Sequence, residues 1–266
     1  MGENESPGGF LLWPFPGNER MNTSNGSDSL ERGQFPPTRW SLVLGAQGSD
    51  EESRHRALGE LCEIYWYPLY AYVRRRGLNP DDAKDATQGF FCELLAKERV
   101  RLFSEEKGKL RAYLLGAIRN YLRDLGKTAR AAKRGGGVQP VSLDLAQAEE
   151  RYAYEPPEFD TPEKLFELRW TLTVLERVFE RVREEYERLG KAEVYEAFKG
   201  LLAGETEIPF RELGESVGLS EGNARVTLFR MRKLYRRCLE EEIAETIPEG
   251  ESIEEEIRHL HRILSS

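Results

Sequence analysis

Cysteine is scarce in this chain. Cys62, Cys92 and Cys238 are three in number and lie far apart. That excludes a legible disulfide framework or zinc knuckle, both of which need paired cysteines at set spacings. Each reads as a small buried hydrophobe in a protein of the reducing cytoplasm. Histidine is equally rare, again three residues, too few for a metal hydrolase. No apolar run approaches the roughly 20 residues that cross a bilayer. The stretch Phe10-Leu11-Leu12-Trp13 is too short for a signal-peptide core and is interrupted by Pro14 and Pro16. A G-x-x-x-x-G-K-S/T phosphate loop is missing, and so is a nucleophile elbow. Catalysis therefore finds no support, and neither a metal nor another cofactor is expected. Alternating apolar and polar residues of the kind that makes strands are lacking too.

What remains is charged and modestly apolar. The 266 residues are 39% hydrophobic and 32% charged, with a formal net charge of -8. That composition suits a soluble protein of one large domain or two small ones. Residues 1–37 are rich in Gly, Pro, Asn and Ser without periodicity and read as a disordered arm. Met21 is an alternative start, since nothing before it has a foldable pattern. From 38 to 134 the spacing is helical. Leu58, Leu61, Ile64, Tyr65 and Leu69 recur at three- and four-residue steps, as do Phe90, Phe91, Leu94 and Leu95. Asn79-Pro80-Asp81-Asp82 predicts a helix start, with proline near the first turn and acids beside the positive helix end. Residues 135–163 break the pattern with Gly135-Gly136-Gly137, Pro140, Pro156-Pro157 and Pro162, and read as a linker. Helical spacing resumes at Leu165, Leu168, Leu172, Leu175 and Phe179 and persists to 240. The expected fold class is all-α: two small helical domains, 38–134 and 164–240, joined by a flexible linker, the C-terminal one a helix-turn-helix, with an acidic tail over 241–266.

The helix-turn-helix expectation comes from residues 208–239. Phe210, Leu213 and Val217 mark one face of a short helix, and Gly218-Leu219-Ser220 makes a turn with Ser220 placed as an N-cap. In the next helix Ala224, Leu228, Met231 and Tyr235 follow steps of four, three and four and form an apolar stripe. At about 100° per residue, Val226, Phe229, Arg230 and Lys233 fall on the far side, with Arg225 flanking. Gly214 and Ala224 are small enough for the two helices to approach closely. An aromatic on the solvent side of a basic helix gains nothing from a core. In a DNA major groove it can cover a thymine methyl while arginines reach guanine edges or phosphates. The plainer reading is a packing motif whose basic face is merely solvated.

A second basic concentration lies earlier. Between Glu105 and Arg134, Lys107, Lys109, Arg111, Arg119, Arg123, Lys127, Arg130, Lys133 and Arg134 face only Glu105, Glu106 and Asp124. Phe103, Tyr113 and Tyr121 interleave with them. Cations that track a backbone beside flat stacking surfaces suit single-stranded nucleic acid. Alternatively, Tyr113 and Tyr121 are core residues of an amphipathic helix.

Two stretches in this order carry a resemblance. "DDAKDATQGFFCELL" followed by "KGKLRAYLLGAIRNYLRDLGKTARAAKR" resembles the second region of bacterial RNA polymerase sigma factors. "IPFRELGESVGLSEGNARVTLFRMRKLYRRCL" is similar to their fourth region. The linker stands where primary sigma factors have a long middle region, as in the extracytoplasmic-function subfamily, and the type resembles one known from planctomycetes and their relatives. The resemblance spans residues 38 to about 240. It implies that Asp85, Gln88 and Phe91 dock on the clamp helices of core RNA polymerase, with Gly89 standing where a glutamate is common. It implies that Arg111, Tyr113, Asn120 and Lys127 belong to the surface that melts the minus-ten element and reads its single strand. Asp124 matches an acidic position there and pairs more naturally with nearby arginines than with a base. In the second domain it implies that Arg225, Val226, Phe229, Arg230 and Lys233 face the double-stranded minus-thirty-five element. Val226 replaces a more usual polar residue, which implies an unusual base preference.

The acidic balance fits such a role, because the polymerase supplies bulk electrostatics that a stand-alone DNA-binding protein must carry itself. A stand-alone helix-turn-helix regulator is the first alternative, and a helical adaptor that binds only protein is the second. An anti-sigma protein is a further possible partner, and no membrane is expected. Nine acids crowd into the seventeen positions 240–256 of the tail. Ile253, Ile257, Leu260 and Leu264 keep helical spacing there, so the tail predicts a short amphipathic helix. It is either solvated or an autoinhibitory cover for a basic face. His259 and His261, two apart, point away from each other and do not suggest a metal.

Overall fold

A computed structural model describes residues 51–95, 108–128, 145–155, 161–204, 208–248 and 250–265. The arm expected over 1–37 and the glycine-rich start of the expected linker lie outside them. Among the described residues the chain is all-helical, with no strand. The elements are α1 (Glu51–Arg75), α2 (Pro80–Leu95), α3 (Leu110–Thr128), α4 (Leu145–Ala153), α5 (Pro162–Arg188), α6 (Ala192–Ala203), α7 (Phe210–Ser216), α8 (Glu221–Ala244) and α9 (Ile253–Leu264). None of these helices is long and apolar enough to cross a membrane. The chain forms two compact units. One gathers Glu241–Leu264 with the described part of Pro37–Leu175, and the other holds Glu176–Glu240.

The larger unit is built around α1. From Leu61 to Val73 every residue of α1 except Glu63 is buried, as befits a helix that is apolar all round. Its tyrosines bring hydroxyls into that interior, and a buried hydroxyl is costly unless it is bonded. Tyr67 donates to Glu155 at 2.5 Å, Tyr70 to Glu149, and Tyr72 to Glu163 at 3.5 Å. Arg74 adds two bonds to Glu149, at 2.7 and 3.1 Å, and Arg169 bonds Glu155 at 2.6 Å. Arg74 thereby holds the Glu149 carboxyl below its usual range, against the upward push of burial.

Two boundaries differ from the sequence expectation. The stretch 135–163 contains α4, whose Ala148 is buried and whose Glu149 reaches α1. Its run of Leu, Ala, Gln and Glu favours helix, but neighbouring glycines and prolines dominate a reading by composition. The compact units also divide at Leu175 rather than at 163, and residues 241–264 join the larger unit.

The start of α2 is as expected. The Asn79 side-chain oxygen accepts the backbone N–H of Asp82 at 2.9 Å, and its amide donates to the Asp82 carboxylate at 2.8 Å, so the cap satisfies an otherwise orphaned donor.

In the smaller unit Val178, Val182, Phe198, Leu213, Leu228 and Met231 are buried, and Phe179 meets Tyr235 edge-on at 5.1 Å. Each such side chain contributes about 1.5–3 kcal/mol by leaving water.

Candidate nucleic-acid interface

The turn between α7 and α8 is held at close range. A Cβ placed on Gly214 would lie 2.6 Å from the Leu219 carbonyl oxygen, 3.3 Å from that of Ser220 and 3.4 Å from the Ala224 Cβ. Gly218 adopts φ 70°, a conformation other residues rarely take. The Ser220 hydroxyl accepts the Asn223 N–H at 3.3 Å, and the Ser220 carbonyl accepts that of Ala224 at 2.8 Å. These are the close approach and N-cap that the sequence predicts.

From this start α8 shows two faces. Ala224, Leu228, Met231 and Tyr235 are all at most 5% exposed. Opposite them Arg230 and Lys233 are exposed, with Val226 at 47% and Phe229 at 69%. Phe229 is thus a largely exposed aromatic on the same side as two cations, which water alone does not favour. Arg225 differs from its neighbours. Its guanidinium bonds Glu221 at 2.7 Å and sits 4.5 Å from the centre of the Phe210 ring, so it is drawn back across the start of α8. Beside this face runs an open groove of about 670 Å³ whose lining includes Leu189, Lys191, Leu219, Arg230, Lys233 and Arg237.

In the larger unit the three α2 residues separate. Asp85 is exposed, Gln88 is half-buried, and Phe91 is only 4% exposed, meeting Phe90 edge-on at 5.7 Å. Phe91 thus packs the unit's interior while Asp85 and Gln88 offer a surface. A Cβ on Gly89 would meet the Tyr121 hydroxyl, so a larger residue there needs that ring to shift. Tyr121 is half-buried, packs edge-on against Phe90 at 5.9 Å, and has its phenol pushed up by burial. Of the two readings of Tyr121, packing is the one its surroundings match.

Along α3, Asn120 is exposed, Tyr113 is half-buried, and Lys127 lies near the helix end. Arg111 is unlike them. It is 4% exposed, its guanidinium lies 4.2 Å over the Trp170 ring, and it pairs with Glu167 at 3.0 Å and with Glu256. Helical spacing aligns Arg111 with Leu114 and Ile118, both buried. That alignment was legible in the sequence, but an arginine in a basic stretch reads first as a surface cation.

The decisive partner of Arg111 comes from the tail. α9 buries Ile257, Leu260 and Glu256, while Glu254, Glu255 and Arg258 stay exposed. Lys109 meets Glu256 at 2.5 Å and Glu251 at 3.5 Å. His259 stands 3.4 Å from Glu167. Burial pushes the Glu256 carboxyl up, but the charge of Arg111 and hydrogen bonds from Lys109 and Arg111 outweigh it and hold the group below its ordinary value. α9 thus lies on the larger unit, held through Ile257, Leu260 and Glu256 with its other side exposed. Glu256 and Trp170 are the site residues that sequence reasoning missed. Helical spacing places Glu256 next to Ile257 at the edge of the apolar stripe, which is the one available hint. Among the described residues no cluster of His, Cys, Asp and Glu could hold a metal.

No protein-family model matches the chain, and no curated protein or solved structure matches it either.

Proposed function

We propose that the chain is a sigma factor, the subunit that binds core RNA polymerase and directs promoter recognition, DNA melting and transcription initiation. One observation carries the reading. In α8 an apolar stripe is fully buried while Val226, Phe229, Arg230 and Lys233 stand out on the opposite side of a capped, closely packed helix pair. A helix-turn-helix that presents an aromatic beside cations suits a major groove, where Phe229 covers a thymine methyl and Arg230 reaches a guanine edge. The order of the two sigma-like stretches favours a polymerase subunit over a stand-alone helix-turn-helix regulator, which would leave Asp85, Gln88, Tyr113 and Asn120 without a task. Melting needs no covalent chemistry, only preferential binding of unstacked bases at about 1–3 kcal/mol each. The proposed partners are core polymerase and promoter DNA, both duplex and melted strand, acting in the cytoplasm without a cofactor.

The experiment is transcription from a promoter library by the chain reconstituted with bacterial core polymerase. Arg230→Ala should cost about 1–3 kcal/mol and relax selection at one upstream base pair. Lys233→Ala should weaken all promoters alike and reduce the salt dependence, as a phosphate contact does. Failure of the wild-type chain to direct any initiation, or to bind core polymerase, would overturn the proposal.

A further inference from the structure

Of the nine acids between 240 and 256, Glu256 has its side chain only 1% exposed, where it meets Lys109 and Arg111. Burying a carboxylate is costly unless its partners are well placed, and here the two partners differ in kind. Arg111 is 4% exposed, stacked on Trp170 and shared with Glu167, so it anchors α9 from inside the larger unit. Lys109 is at the surface, with 30% of its side chain exposed, and sits one residue before α3. By helical spacing Lys109 heads the row that continues through Tyr113 and Asn120, two of the residues that the sigma resemblance assigns to the melted strand. Glu251 approaches the same amine at 3.5 Å. Two carboxylates therefore converge on the first cation of that row.

We propose that α9 is an internal stand-in for a nucleic-acid backbone: Glu256 and Glu251 occupy Lys109 as phosphate oxygens would, and a single strand gains this end of α3 only when α9 leaves. This rests on the strand-binding role proposed for α3. It adds that the free chain carries its own competitor, anchored through Arg111 and displaced by the strand.

The test is binding of a fluorescent single-stranded DNA oligonucleotide to the full chain at low salt, followed by anisotropy, with limited proteolysis reporting release of α9. Glu251→Gln/Glu256→Gln should free α9 and tighten oligonucleotide binding by about tenfold, less as salt screens the charges. Adding Lys109→Ala should abolish the gain. Glu251→Gln alone changes an exposed side chain that no packing depends on, and should give a smaller gain in the same direction even if the double variant folds poorly. Unchanged affinity in both variants, or a gain that survives Lys109→Ala, would overturn the proposal. Transcription by the same variants separates it from the sigma reading. Unchanged oligonucleotide binding beside active transcription sinks the tail's role alone. A Lys109-dependent gain beside inactive transcription supports the tail's role and sinks the sigma reading.

Discussion

Gly214 is a glycine because the Leu219 carbonyl oxygen takes the space where a Cβ would be, at 2.6 Å. The obstructing atom is backbone in a tight turn and has no rotamer to retreat into. Gly214→Ala should therefore destabilise the smaller unit by about 1–3 kcal/mol, the usual range for overpacking. A lowered urea midpoint measures it, and an unchanged midpoint would show that the turn can yield. This position was legible in advance, as were the Ser220 and Asn79 caps, because each depends on neighbours within a few residues along the chain. Arg111 was not legible. What encloses it, Trp170 and Glu256, comes from distant helices, and no local rule reports a partner so far away. Gly89 lies between the cases: its absent side chain was plain, but the Tyr121 hydroxyl that a Cβ would have to move is visible only in the fold.

Elements with a strict apolar period were read well, and those flanked by breakers were not. The two faces of α8 follow from steps of three and four residues alone. α4 was masked by the glycines and prolines around it, and its place is set by Glu149 meeting Arg74 and Tyr70. α2 shows how a helix can divide its labour between faces that a motif lumps together. Asp85 is exposed and Gln88 half-buried, whereas Phe91 is buried against Phe90. Under the proposed function, Asp85→Ala and Gln88→Ala should weaken association with core polymerase without altering helical content. Phe91→Ala should instead cost about 3–5 kcal/mol of stability, as deletion of a buried ring does. Circular dichroism and thermal melts alongside a core-polymerase pull-down distinguish the two outcomes. Normal stability in Phe91→Ala would mean that its ring belongs to the docking surface after all.

At the scale of the chain, the net charge of -8 conceals a local arrangement: part of the tail's acid is spent on the cations at the head of α3. That arrangement makes the seat of α9 dependent on pH, with a sign that can be worked out. Glu256 is held below its ordinary value of 4.5 despite burial, because Arg111 and Lys109 favour its charged form. A carboxyl depressed in the folded state contributes stability above its unfolded value and loses it as the pH falls through the folded one. α9 should therefore stay seated from neutral pH down to about pH 5 and release only below the ordinary carboxylate range. Limited proteolysis of the tail across that interval measures it, with Glu256→Gln expected to flatten the profile. Release already complete at pH 6 would mean that the contact is not governed by Glu256.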